Sequence, residues 1–198
     1  MRLERLIALG LTLTLLPVAL GGATRTSCDE AAVHRSFLDW EVGEWDATIT
    51  MPALDGGEPL VLAGVQTDRL GACGLWLITD LRMKPGPGGE EAPPYEGQGV
   101  LGYDPAKEKL VGIWVDSKTD WLAVAEGRVS ADGKTLTLEV EGRHPVTRQP
   151  MMQEYVTTKV GANHRRLEIY IPLGDGERML AARIDYERRT EGKPAAGR

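Results

Sequence analysis

The side chains best able to do chemistry in this 198-residue sequence are scattered acids and aromatics, not a compact motif. Asp116, Glu126 and Glu168 stand on three separate stretches and are the candidates for a polar patch beside Trp114, Trp76, Tyr103 and Tyr170. Acids gathered beside such rings suit a small-molecule pocket, where apolar walls carry a few fixed polar groups that orient the ligand. Two carboxylates converging on one cavity would instead act as general acid and base, with displaced pKa values. Asp116 also has a plainer reading. It opens the polar turn Asp116-Ser117-Lys118-Thr119-Asp120, where an aspartate caps backbone N–H groups, and the turn composition favours that role.

Other chemistries find no support. His34, His144 and His164 do not pair with one another or with a carboxylate at metal-ligand spacing, so no metal site is expected. No nucleophile elbow, phosphate loop or dinucleotide fingerprint is present, and no catalytic residue is assigned. The two cysteines, Cys28 and Cys73, are not a Cys-x-x-Cys pair. In an oxidising compartment they are read either as a disulfide tying the N-terminal segment to the domain or as two unrelated thiols.

The elements that must position these residues are mostly strands. Between Pro94 and Gly127 three strand-forming runs are separated by the turns Asp104–Lys107 and Asp116–Asp120, a β-meander. Trp45, Ala47, Ile49 and Met51 alternate with Asp46, Thr48 and Thr50, so the first set should face inward. Further strands are expected over 58–69, 75–83, 121–130, 134–142, 149–160, 164–172 and 178–188, joined by turn signals such as Ala131-Asp132-Gly133. Lys84–Pro94, with four prolines and three glycines, reads as a loop. Gly97 and Gly99 inside a strand suggest a bulge or sharp bend. Ahead of the strands, a capping box at Ser27–Glu30 and the spacing of Val33, Phe37 and Trp40 predict a short helix over about 28–39, placed to cover a barrel end. The pattern is an all-β, antiparallel up-and-down barrel of about ten strands with one short N-terminal helix.

Two strands leave their facing open. Leu110–Asp116 is apolar on both sides: either Trp114 and Asp116 line a cavity, or a helix or second subunit covers an outer apolar face. In 164–171, burial of Leu167, Ile169 and Ile171 would leave His164, Glu168 and Tyr170 in solvent; the opposite facing makes the second set a cavity wall.

Residues 1–23 read as a secretory signal peptide, with Arg2 and Arg5, an apolar run from Leu6 to Leu20 and Gly21-Gly22-Ala23. One domain should then span 24–190, followed by a disordered tail, 191–198. The expected location is periplasmic or secreted, with no membrane insertion after cleavage. Removing the leader leaves the rest one unit more negative than the full chain's −6, which argues against nucleic acid and anionic membrane surfaces as partners.

Several stretches together resemble a bacterial domain-of-unknown-function family with a lipocalin-like, calycin-type barrel. They are Gly43-Glu44-Trp45, Glu96-Gly97-x-Gly99-x-x-Gly102-Tyr103-Asp104, Trp114-x-Asp116-Ser117, Glu126-Gly127, His164-x-x-x-Glu168-x-Tyr170 and Tyr186-x-Arg188, covering Phe37 to Arg188. The resemblance implies a fold and no activity. Gly43-x-Trp45 after a helix also resembles the lipocalin start motif, which implies that Trp45 lies across the closed end with a late-strand arginine stacked on it. Leu180, Ala182, Ile184, Tyr186 and Arg188 share one parity, so Arg188 is the expected partner. Nitrobindin-like haem barrels are a further similarity, but the alternating glycines after the first Trp are missing and the final strand has no histidine. No cofactor is expected.

Three functions fit: an exported barrel binding a small, largely apolar ligand; an enzyme of hydrolase or isomerase type using cavity carboxylates; or a homodimeric interaction module with a filled core.

Overall fold

A strand that alternates apolar and polar side chains needs a dry side and a wet side, and ten of them in series can supply both by closing on themselves. The computed structural model describes residues 25–53, 56–85, 94–144 and 147–190, with side chains from Glu30 onward. A helix, α1 (Arg25–Glu41), leads into β1 (Gly43–Met51), β2 (Leu60–Gly71) and, through a 3₁₀ turn at Ala72–Gly74, β3 (Trp76–Met83). Then come β4 (Glu96–Asp104), β5 (Lys109–Asp116), β6 (Ala123–Val129) and β7 (Thr135–Arg143). The series ends with β8 (Pro150–Lys159), β9 (His164–Gly174) and β10 (Glu177–Arg188). Each strand pairs with its sequence neighbours, and β1 pairs antiparallel with β10, so the sheet is a closed barrel.

Strand bounds shift by no more than two residues from the sequence reading, whereas α1 starts three residues early, before its expected capping box, and runs to Glu41. The expected signal peptide (1–23), the core of the 84–94 loop and the tail 191–198 lie outside the described residues. The side chain of Cys28 does too; Cys73 is exposed.

The helix plugs one end of the barrel. Its stripe of His34, Phe37, Leu38 and Glu41, at i, i+3, i+4 and i+7, is buried against the C-terminal end of β6 and the N-terminal ends of β3, β5 and β7. His34 pins it: Nδ1–H donates to the Glu30 carbonyl at 2.6 Å, and Nε2 accepts from the Val129 N–H at 3.3 Å. Trp45, fully buried, crosses this end and donates Nε1–H to the Glu41 carbonyl at 2.9 Å. Arg188 stacks on it with Cζ 4.0 Å from the ring, as expected, and also donates to the Trp40 and Val42 carbonyls at the helix C-terminus.

Two local expectations fail for geometric reasons. The register of β9 and β10 slips between Leu180 and Ala182. This bulge moves Leu180 to the outer face, opposite Tyr170, out of the parity of Ile184 and Tyr186. Gly97 and Gly99, in contrast, sit in an unbroken register with Asp116 and Trp114, so they mark no bulge.

Candidate functional site

Inside the barrel, above the Trp45 layer, lies a cavity of about 220 Å³. Leu101, Ala125, Leu138, Val140, Ile169 and Ile184 make its apolar wall. Trp114 lines it too, so the inward alternative for the 110–116 strand is the one realised. Its indole lies flat against β4: a Cβ on Gly97 would stand 2.2 Å from Trp114 Cζ2, and one on Gly99 2.9 Å from Cε3. The glycines are there to make room for the ring. Trp114 Nε1–H donates to the Tyr95 hydroxyl at 3.3 Å. Burial pushes the Tyr155 hydroxyl, which also lines the cavity, up to about 12, with the Asp116 charge adding to the effect.

The deep end of the cavity is polar. Arg165, 3 % exposed, forms ion pairs with Glu41 through Nη1 and with Asp68 through Nη2, the second at 2.8 Å. Its guanidinium also lies 4.3 Å from the Trp45 ring and 4.4 Å from Tyr186, between two aromatic faces. Asp68, 2 % exposed, accepts from Gln66 Nε2 at 2.9 Å and from Thr79 Oγ1 at 2.5 Å. Burial pushes the Asp68 carboxyl up to about 6 against those hydrogen bonds, and lowers Arg165 to about 10. Two acids and one buried arginine thus share a site whose polar capacity is nearly used up. Glu41 Oε1 and Arg165 Nε have no hydrogen-bond partner among the described residues.

Of the residues expected in a pocket, Trp114 alone lines this cavity. Asp116 sits at the open rim and caps its turn, Oδ1 accepting from the Lys118 and Thr119 N–H groups at 2.8 and 2.9 Å. Tyr103 faces inward but at the plugged end, its ring 5.0 Å from His34. Trp76, Glu126, Glu168 and Tyr170 are on the outer wall. Trp76 covers Gly102, and Glu126 pairs with Lys107 and Lys109. Glu168 pairs with Arg183 at 3.0 Å, and Tyr170 lies under Arg178 at 3.9 Å. The His164/Glu168/Tyr170 cavity wall is therefore excluded; Leu167 and Ile169 face in.

Sequence reasoning missed Glu41, Gln66, Asp68 and Arg165, because charged and amide side chains in amphipathic elements are ordinarily assigned to solvent. A signal was present. Arg165 shares the parity of Leu167, Ile169 and Ile171, and Glu41 falls on the stripe of His34, Phe37 and Leu38. A charge in phase with the apolar set marks a buried polar site.

Comparison with known proteins bears on the fold. Residues 30–188 match the family described as "Protein of unknown function (DUF1579)". The chain belongs to that family. Among solved structures, the DUF1579 barrel is similar to Rv2717c from M. tuberculosis, with a TM-score of 0.55 at 11 % identity over 78 % of this chain and 96 % of that one. It also aligns with a redesigned β-barrel at a TM-score of 0.39 and 13 % identity, over 79 % of this chain and 96 % of that one. No curated protein matches the sequence.

Proposed function

We propose that this DUF1579 barrel is an exported binding protein that takes a small, largely apolar ligand into its interior. The observation that carries the reading is the cavity: about 220 Å³, apolar along its wall, with a buried polar cluster at its deep end. That volume lies between the ~150 Å³ engineered site that accepts benzene and the ~300 Å³ at which drug-sized pockets begin. The fitting ligand is one or two rings, or a short acyl chain. Native mass spectrometry of protein taken from its host tests this. A co-purifying small molecule is the expected result; a bare protein that also fails to take up naphthalene contradicts it. N-terminal sequencing of the mature protein tests export, with cleavage expected after the Gly21-Gly22-Ala23 segment.

A second reading, acid/base catalysis, draws on Glu41 and Asp68 converging on the same cavity. Both are engaged by Arg165, so binding is favoured. A homodimer seam draws on Ile113, Val115, Leu122 and Val124, which are exposed on the outer face of β5 and β6 and the loop between them.

A further inference from the structure

Trp114 and the polar cluster belong to one cross-strand row. Asp68 pairs with Thr79, Thr79 with Gly99, and Gly99 with Trp114. Neighbouring strands stand ~4.8 Å apart, so the row spans ~14 Å along the wall. The indole folds back over Gly97 and Gly99 toward β3, and Asp68 with its partner Arg165 reaches in from the other side, which shortens the gap. A flat ring laid on the cavity side of Trp114 has its far edge toward the cluster. With one indole face held against the glycines, the other faces the cavity and makes a stacking platform.

The cluster specifies that edge. Arg165 Nε is a donor and Glu41 Oε1 an acceptor, both buried and both without a partner among the described residues. Both side chains line the deep end of the cavity, and a ligand toward which they turn satisfies them by offering an acceptor beside a donor. Charge decides the rest: Arg165, together with Arg188, whose charge acts on Asp68 from the Trp45 layer, already balances Glu41 and Asp68. An anionic head group would add a third negative charge to a dry site, at a cost that its contact with Arg165 does not offset.

Building on the ligand-binding reading, we propose that the cavity selects a neutral planar bicycle with an adjacent donor and acceptor, a lactam or cyclic amide, stacked on Trp114 with its polar edge on Glu41 and Arg165. Three probes of one size test it by isothermal titration calorimetry on the full folded protein: 2-quinolone, naphthalene and 2-naphthoate. The lactam should bind at least about tenfold tighter than naphthalene, as two satisfied buried groups imply, and 2-naphthoate should be weakest. In Glu41→Gln, which removes one negative charge, 2-naphthoate should gain about tenfold relative to naphthalene. Should that variant not fold, the ranking in the native protein decides alone. Equal affinity for lactam and naphthalene, or 2-naphthoate binding tightest, overturns the head-group assignment and leaves apolar binding standing. Failure of all three probes to bind overturns both.

Discussion

At the scale of the residue, the interior is shaped by what is missing from two positions. Gly97 and Gly99 clear the inner face of β4 for the Trp114 indole, and the nearest ring atom would meet a Gly97 Cβ at 2.2 Å. Gly97→Ala should therefore destabilise the protein by about 1–3 kcal/mol, through displacement of a packed ring. In a Trp114→Leu background the same change should cost less, a coupling that urea melts of the four proteins measure as a double-mutant cycle. Asp68 carries a pH signature. Its folded pKa, about 6, stands above the ordinary 3.8, so the folded state holds this proton more tightly than the unfolded state. Its contribution to stability is greatest below pH 4 and declines as pH rises to 6. Asp68→Asn lacks that dependence. Its stability relative to the native protein should rise, by on the order of 2 kcal/mol, between pH 4 and pH 7 in parallel urea titrations. A flat or opposite trend would mean that Asp68 is held as a carboxylate by Arg165 throughout.

At the scale of the element, Arg188 joins three pieces of the chain. From β10 it stacks on Trp45 of β1 and donates to the last carbonyls of α1, supplying a cation where the helix dipole is negative. Arg188→Met keeps the stem but loses charge and donors, and should cost about 3 kcal/mol in urea unfolding. Arg188→Lys should recover only a minor part, since a point-like ammonium cannot stack and reach two carbonyls together. This contact was legible in the sequence because Trp45 and Arg188 both lie in phase with apolar neighbours. The same alternation placed Ile49 and Ile184 correctly, and the turn signals separated all ten strands. Leu180 escaped because a bulge changes parity without a distinctive residue to announce it. The polar cluster escaped for a different reason: its members come from α1, β2 and β9, and only barrel closure brings Glu41, Asp68 and Arg165 together. The Asp116 turn cap, by contrast, is a local interaction and could be read locally.

At the scale of the molecule, closure separates two environments that the sequence leaves ambiguous strand by strand. The outer wall is laced with exposed ion pairs such as Glu154–Arg178 and Glu168–Arg183, each worth little to stability. The inner wall is largely apolar from Leu101 round to Ile184, with its charged groups gathered at the plugged end. A ligand entering from the open rim would meet Trp114, Tyr95 and Tyr155 first and the Arg165 cluster last. The most direct measurement is an amide chemical-shift map of the ¹⁵N-labelled protein titrated with naphthalene. A binding barrel predicts saturable shifts confined to the inner row, at Trp114, Ala125, Leu138 and Ile169, with Trp76, Glu126 and Tyr170 unmoved. Shifts centred on those outer residues, or none at saturating probe, would contradict an interior site.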